Sequence, residues 1–244
     1  MTQMMFYETI VRLDSTKHKD TRLTPVTNYA FAAGTNSIPI AGVEFIEASK
    51  EYPITFIKSN QGEYIPTVIL GLQNDQNLFV DPNGQWTAQY IPAYVRRYPF
   101  VPATSKDPGK INICIDETYA GFGTDKGDPL FNEDKTPAPL LQNMVNFIQD
   151  YHMRMQHTND FTRRLAACDL LQEMKAEFGN KETGKNFRLS GLHMIDEQKL
   201  LELDQEKVMD FFKKGEFAWI YSHLNSLSNF RRLLDRFFAD RSRS

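Results

Sequence analysis

Short apolar runs alternate with turn-forming residues over the first half of the chain, up to about residue 136. The runs are strand-sized and rich in β-branched and aromatic residues, which favours a sheet. We predict strands at residues 6–12, 54–58, 64–72, 78–80, 94–98 and 110–115. Gly, Asn, Asp and Pro residues separate these runs as turns, at residues 60–62, 81–84 and 107–109.

One helix is expected to interrupt this sheet half, over residues 42–52. The residues that can line one side of it are Val43, Phe45, Ile46 and Ala48. Pro53 stops the pattern, because a proline cannot continue a helix.

From Pro139 onward the apolar residues follow three- and four-residue steps, which is the periodicity of amphipathic helices. We predict a long helix that begins there and breaks at residues 157–160, since Thr, Asn and Asp are residues that cap helices. A second helix should follow over 161–178 and end at Gly179.

A loop at about residues 181–192 should precede three further helices, over 196–203, 204–214 and 216–240. Asp196 and Asp204 are suited to cap the first two. The last helix carries a wide apolar stripe, which must be buried by the rest of the chain or by a partner, and burial within the chain is favoured.

Sheet-forming residues thus come first and helix-forming residues second. This segregation predicts an α+β fold, with a mainly antiparallel sheet in the N-terminal half packed against a helical C-terminal half. We expect a sheet-rich portion over residues 1–136 and a helical portion over 137–244, together forming one domain over 1–244.

The composition is that of an ordinary globular protein, since 41% of the 244 residues are hydrophobic and 24% are charged. The formal net charge of −3 provides no general attraction to phosphate backbones, so nucleic acid is not an expected partner. Local basic clusters such as residues 17–19 have acidic neighbours and are interpreted as solvated surface.

The longest apolar runs, at residues 68–72 and 111–115, fall well short of the roughly 20 residues that a membrane-spanning helix needs. Glu8 and Arg12 interrupt the apolar residues near the N-terminus, which does not fit a Sec-type leader. We therefore expect a soluble, cytoplasmic protein without transmembrane insertion, while export to the cell surface by a non-Sec route stays open.

No familiar catalytic or metal-binding motif stands out. Cys114 and Cys168 lie far apart and fit buried free thiols. His152 and His157 are five residues apart, so they would point in different directions on a helix, and no metal site is predicted. The glycine-rich residues 121–127 lack the Gly-Lys-Ser/Thr ending of a phosphate-binding loop. Catalytic residues and cofactors are left unassigned.

The most unusual stretch is residues 83–100, where aromatic residues and two arginines are packed between prolines. Aromatic faces can stack on a ligand while guanidinium groups bind carboxylate or phosphate, so this stretch is the best candidate recognition surface. Alternatively its aromatic residues are core, and Arg96 or Arg97 pairs with an internal carboxylate such as Asp116. The candidate ligand-binding residues are Trp86, Tyr90, Arg96, Arg97, Tyr98, Asp116 and His223.

Several short motifs give the chain a family resemblance that extends over most of its length. They are Leu70-Gly71, Asn77-Leu78-Phe79-Val80, Gly84-Gln85-Trp86, Tyr90-Ile91-Pro92-Ala93, Arg96-Arg97-Tyr98-Pro99-Phe100, Ile195-Asp196-Glu197 and His223-Leu224-Asn225-Ser226-Leu227. With them the chain resembles the SapC family of bacterial proteins, often labelled SapC-like S-layer proteins. The most specific part runs from the Tyr-Ile-Pro-Ala motif to the Arg-Arg-Tyr-Pro-Phe motif.

The resemblance implies an association with a bacterial surface layer, or with outer-membrane uptake receptors and flavin-dependent halogenase-like proteins, and it assigns no catalytic residues. The multi-span peptide transporter permease of the same name does not fit the hydropathy.

Three hypotheses follow. The chain is a non-enzymatic accessory or interaction protein with a protein partner, or an enzyme or small-ligand binder with a pocket between its sheet and helical halves, or a structural S-layer component. A homo-oligomer stays open.

Overall fold

A computed structural model of the chain describes residues 5–104, 111–174, 176–179 and 186–241. Antiparallel sheets lie mainly in the N-terminal half and helices in the C-terminal half, which confirms the predicted α+β class. Among the described residues, no helix has the length and hydrophobicity needed to cross a bilayer.

The strands are β1 (Ile10–Arg12), β2 (Arg22–Leu23), β3 (Ser37–Pro39), β4 (Ile54–Lys58), β5 (Tyr64–Ile69), β6 (Phe100–Thr104), β7 (Ile111–Asp116), β8 (Phe122–Gly123), β9 (Asp128–Pro129), β10 (Leu171–Glu173), β11 (Ala176–Gly179), β12 (Asn186–Leu189) and β13 (Leu192–Ile195). The α-helices are α1 (Phe45–Ala48), α2 (Ala93–Arg96), α3 (Pro139–Ala167), α4 (Glu197–Leu201), α5 (Gln205–Lys213), α6 (Phe217–Ser226) and α7 (Asn229–Arg241). Single-turn 3₁₀ helices lie at Ala30–Ala32 and Gly42–Glu44.

The chain divides into two compact units, each made of two separate segments. Unit 1 comprises Met1–Gly34 and Phe79–Met153, and unit 2 comprises Thr35–Leu78 and Arg154–Ser244. The domain boundary between residues 136 and 137 stays a prediction.

Unit 1 contains two three-stranded antiparallel sheets, in the orders β1-β7-β6 and β8-β2-β9. Its larger core joins the sheets to the N-terminal turns of α3 through Leu141 and Ile148. The buried members of that core are Leu23, Phe100, Ile115, Leu130, Phe131, Leu141 and Ile148. A second cluster contains Tyr7, Tyr98, Val101 and Cys114.

Unit 2 contains a five-stranded antiparallel sheet in the order β10-β13-β4-β5-β3, and the separate pair β11-β12. Helix α6 contacts β13 and β4. Ile54, Phe56, Ile195 and Ile220 are fully buried.

The predicted strand at residues 94–98 is wrong, because residues 93–96 form helix α2. Pro92 adopts extended angles directly before the helix, as a residue preceding a first turn does. One helical turn brings Tyr94 and Arg97 to the same side, with the guanidinium carbon 3.8 Å from the ring centre. Aromatic and β-branched content thus indicated a strand where the flanking prolines favour a single turn.

The predicted break at residues 157–160 is also wrong, because α3 runs without interruption from Pro139 to Ala167. The Thr158 hydroxyl donates to the Arg154 carbonyl at 2.7 Å, one turn earlier in the helix. It also accepts a bond from the Gly42 N–H at 2.8 Å. Its side chain therefore bonds to a distant segment and does not cap a new helix.

Residues after Ala167 differ from the predicted helix over 161–178. Asp169, with a φ of 53°, follows the end of α3, and β10 and β11 come next. The predicted loop at 181–192 contains β12, while residues 181–185 lie outside the described residues. The predicted turn at 107–109 also lies outside them.

The predicted last helix over residues 216–240 is two helices, α6 and α7. The Asn229 side chain, at the start of α7, donates to the carbonyls of Ser49 and Tyr52. These partners are far away in sequence, so local periodicity could not indicate the break.

The helix predicted over 42–52 is confirmed in part, as the Gly42–Glu44 turn followed by α1. Phe45 is buried, but Val43 and Ile46 are exposed, so the predicted apolar side is wrong for these two residues. The capping roles of Asp196 and Asp204 are confirmed, since their carboxylates accept backbone N–H bonds from α4 and α5.

Candidate functional site

Trp86 lies inside unit 1, with 9% of its surface exposed. It forms an isolated antiparallel bridge with Val80, and its ring meets the Tyr29 ring edge-on at 5.9 Å. Its indole therefore presents little area to a ligand.

Arg97 is also buried, although arginine is rarely enclosed in a protein. Its guanidinium carbon lies 3.8 Å from the ring centre of Tyr94 and 5.8 Å from those of Tyr7 and Tyr151. Its Nε donates to the Tyr7 hydroxyl at 3.2 Å. The contacts described for this cation are with three tyrosines rather than with the Asp116 carboxylate that the sequence suggested as a partner.

Tyr7 links Arg97 to the strand β6, because its hydroxyl donates to the Phe100 carbonyl at 3.2 Å. Burial raises the pKa of Tyr7 to about 12, although the nearby Arg97 charge acts in the opposite direction. Tyr7 therefore stays neutral near pH 7 and can both donate and accept hydrogen bonds.

Asp116 is fully buried at the end of β7. Its carboxylate accepts bonds from the N–H groups of Glu8 and Thr9, each at 3.0 Å, and from the Thr118 hydroxyl at 2.8 Å. Burial acts to raise the pKa of this carboxyl, but the hydrogen bonds outweigh burial and hold the pKa below its ordinary value. Asp116 thus anchors the segment before β1.

Tyr98 stacks on Phe31, with ring centres 3.9 Å apart and planes inclined by 15°. Burial raises the pKa of its hydroxyl, and the Asp116 charge adds to that effect. Tyr98 belongs to an aromatic cluster that also includes Phe6, Tyr7 and Tyr119.

Arg96 differs from these buried residues because its side chain is exposed. Its Nε donates to the Ile91 carbonyl at 2.9 Å. Its guanidinium carbon lies 5.2 Å from the Phe147 ring centre and 5.9 Å from that of the half-buried Tyr90. A backbone bond and two aromatic faces therefore fix the position of a solvent-accessible cation.

Phe147 is also one of the residues that line a groove with a volume of about 770 Å³, within the range of known binding sites. Its α3 side presents Leu140, Met144 and Phe147 at three- and four-residue steps, and β9 forms another part of the lining. The lining residues are Asp128, Pro129, Ala138, Pro139, Leu140, Asn143, Met144 and Phe147. We call these residues, together with the neighbouring Arg96, the Arg96 groove.

His223 lies in unit 2, in a separate environment, and is fully buried. Its Nε2 accepts the Ile195 N–H at 3.1 Å, and its Nδ1 lies 2.9 Å from the Ile54 carbonyl, to which it donates. Burial lowers the pKa of His223 to about 4, although the bond to Ile54 acts in the opposite direction. The imidazole is therefore neutral and connects α6 to both β4 and β13.

The structure thus brings together some of the seven predicted residues. Arg97, Tyr98 and Asp116 surround Tyr7, Arg96 contacts Tyr90, and His223 belongs to the other unit. The ligand-binding role of the set stays a prediction. In the described part of the chain, no group of three or more His, Cys, Asp or Glu side chains is placed to hold a metal ion.

Sequence reasoning missed the lining of the Arg96 groove. Leu140, Met144 and Phe147 follow helical periodicity, which predicts the helix but not that these partly buried side chains line a groove. One usable signal was the position of Pro129 and Pro139, which flank a turn-rich segment directly before the long helix.

Comparison with known proteins supplies one match. A family model described as SapC matches residues 13–233. No curated protein and no solved structure matches the chain. The matched range includes every residue of the Arg96 groove.

Proposed function

The chain belongs to the SapC family, and on that premise we propose that it is a non-enzymatic accessory or interaction protein, which binds a protein partner through the Arg96 groove. The partner is a component of a bacterial surface layer or of an outer-membrane nutrient-uptake system. This last assignment rests on the family resemblance alone.

The observation that carries the proposal is the exposed Arg96 guanidinium, which lies over the ring of Phe147, a lining residue of a mainly apolar groove. Apolar area with a few fixed polar groups is the composition of a recognition surface. Arginine beside aromatic residues is also common among the residues that dominate binding energies.

Binding is favoured over catalysis because the two buried ionisable residues Asp116 and His223 of the predicted set already have structural partners. Asp116 accepts several hydrogen bonds from its own unit, and both ring nitrogens of His223 are occupied by backbone groups. A general base needs a free lone pair within reach of substrate.

Asn143 offers a way to block the groove without removing a packed side chain, because it is exposed and lines the groove. The variant Asn143→Trp should fill the space with its indole. Gln149→Trp places the same side chain at an exposed position of α3 outside the groove and is the matched control.

Each purified full-length chain is immobilised and exposed to a native lysate of cells that encode it, and the bound proteins are quantified by mass spectrometry. We expect one envelope protein to be retained by the wild-type chain and by Gln149→Trp, and to be lost with Asn143→Trp. Equal retention by Asn143→Trp would contradict the groove as the contact. Turnover of a small molecule with no retained partner would favour an enzyme instead.

A further inference from the structure

The Arg96 side chain already has a fixed position, as an arginine needs in order to bind an anion. The bond from its Nε to the Ile91 carbonyl fixes the guanidinium, and the rings of Tyr90 and Phe147 lie within 6 Å of it, at 5.9 and 5.2 Å. An arginine normally loses side-chain freedom when it binds an anion, and here much of that freedom is absent beforehand.

The two terminal nitrogens of Arg96 are suited to an external carboxylate. Nε is occupied, so the outer edge of the guanidinium can form two parallel N–H···O bonds. Within the described residues, Arg96 forms no ion pair with a carboxylate, whereas Arg163 pairs with Glu63 and Arg164 with Glu216. The charge of Arg96 is therefore not neutralised by this chain's own described carboxylates.

The groove beside this cation favours apolar side chains. Leu140, Met144 and Phe147 follow one another along two turns of α3, a length of about 10 Å at 1.5 Å per residue. Asp128 is the acidic residue of the lining and lies on the β9 side. Its charge disfavours a second acidic group there, so a bound carboxylate is directed to Arg96.

We infer that the partner presents a segment in which an Asp or Glu side chain binds Arg96 while a large apolar side chain close to it in the same segment occupies the groove. The inference rests on the proposed function and specifies the chemistry of the partner. Charge complementarity with Arg96 and the apolar lining together select this occupant over a basic or purely polar segment.

The test uses phage that display short random peptides, inserted internally so that no peptide has a free C-terminal carboxylate. Phage are selected on the immobilised full-length chain after removal of those that bind Asn143→Trp. We expect the retained peptides to be enriched in Asp or Glu close to Leu, Ile, Met or Phe. Selection on Arg96→Gln should lose the acidic enrichment and keep the apolar one.

One retained peptide is then synthesised with its acidic residue intact and as the matching amide. The amide should bind the wild-type chain about tenfold to a hundredfold more weakly, the usual loss for a hydrogen bond to a charged group. Arg96→Gln should bind both peptides equally. Arg163→Gln, which removes the same charge from an exposed site in unit 2, should retain the wild-type preference.

Two results would overturn the inference. Peptides that bind the wild-type chain but not Asn143→Trp, and that show no enrichment of Asp or Glu, would refute the bond between Arg96 and a carboxylate. The groove would then still be a contact surface. A lack of any enrichment over Asn143→Trp would refute the peptide segment as occupant, and the lysate experiment would then decide separately whether a folded partner uses the groove.

Discussion

Arg97 is a charged side chain inside unit 1, and three tyrosine rings provide much of its environment. A planar guanidinium can face an aromatic ring and donate in its own plane at the same time, as Arg97 does towards Tyr94 and Tyr7. A lysine ammonium is a compact, strongly hydrated charge that cannot reproduce both contacts.

We therefore expect Arg97→Lys to lower the free energy of unfolding by about 1–3 kcal/mol, although the charge is retained. Urea unfolding monitored by tyrosine and tryptophan fluorescence measures this change. Arg163→Lys is the control at an exposed position and should change the free energy of unfolding by less than about 0.5 kcal/mol. A similarly small effect of Arg97→Lys would show that charge alone is sufficient at this position.

His223 makes the stability depend on pH, because its folded-state pKa of about 4 lies below the ordinary value of 6.5. Between these two values the unfolded chain binds more protons than the folded chain, so acid favours unfolding. The contribution of neutral His223 is complete above about pH 6.5 and is lost as the pH falls to about 4, with an upper limit of about 3 kcal/mol.

We expect the free energy of unfolding of the wild-type chain to fall between about pH 7 and about pH 4.5, and the fall to be smaller in His223→Gln. Urea titrations of both proteins at the two pH values measure the difference. Asp116 does not contribute to this fall, since its pKa is lowered from 3.8 and the stability that it provides is lost only in stronger acid. Identical pH dependence in the two proteins would show that His223 is not the group responsible.

At the scale of elements, α3 remains continuous where capping residues suggested a break. Thr158 illustrates the reason, because its hydroxyl bonds both to its own helix and to the backbone N–H of Gly42. Within the described part of the chain, the hydroxyl of Thr162, one turn later, bonds to the carbonyl of Asn159 in the same helix and to no distant segment.

We expect Thr158→Val to lower the free energy of unfolding by about 1–3 kcal/mol, because it leaves the buried Gly42 N–H without an acceptor. Thr162→Val is the matched control, since this residue is also buried, and it should cost less than about 1 kcal/mol. Chemical denaturation of both variants tests the difference. Equal losses would mean that the bond to Gly42 contributes little.

How far the sequence predicts this fold depends on the range of the interactions involved. The caps at Asp196 and Asp204 were predicted correctly because each carboxylate binds an N–H two or three residues away. The division between α6 and α7 was missed because Asn229 bonds to Ser49, 180 residues earlier. Likewise the contact of Arg96 with Tyr90 joins residues that are close in sequence, whereas the groove requires β9 and α3 to be side by side.

At the scale of the whole molecule, the two segments of each unit are separated in sequence by a segment of the other unit. Unit 1 needs residues up to Met153, including the core residues Leu141 and Ile148. Unit 2 needs β3, β4 and β5 from the first half of the chain to form its five-stranded sheet.

We therefore predict that fragments 1–136 and 137–244 will not fold when expressed separately. The first lacks the α3 residues of its core, and the second lacks three strands of its sheet. Urea titration of each fragment should show no cooperative transition, in contrast to the full chain. A sigmoidal transition in either fragment would instead support a domain boundary near residue 136.

The hydrogen bond from the Ile54 N–H to the Ser226 hydroxyl spans 172 residues, and it has a consequence for synthesis on the ribosome. At about 5–20 residues per second, roughly 10–30 s pass between the appearance of the two partners. During that interval β4 and β5 exist without α6, and Ile54 and Phe56 cannot yet reach the buried positions that they have in the finished protein. A ribosome-associated chaperone therefore has roughly this interval in which to act on the nascent β4–β5 segment.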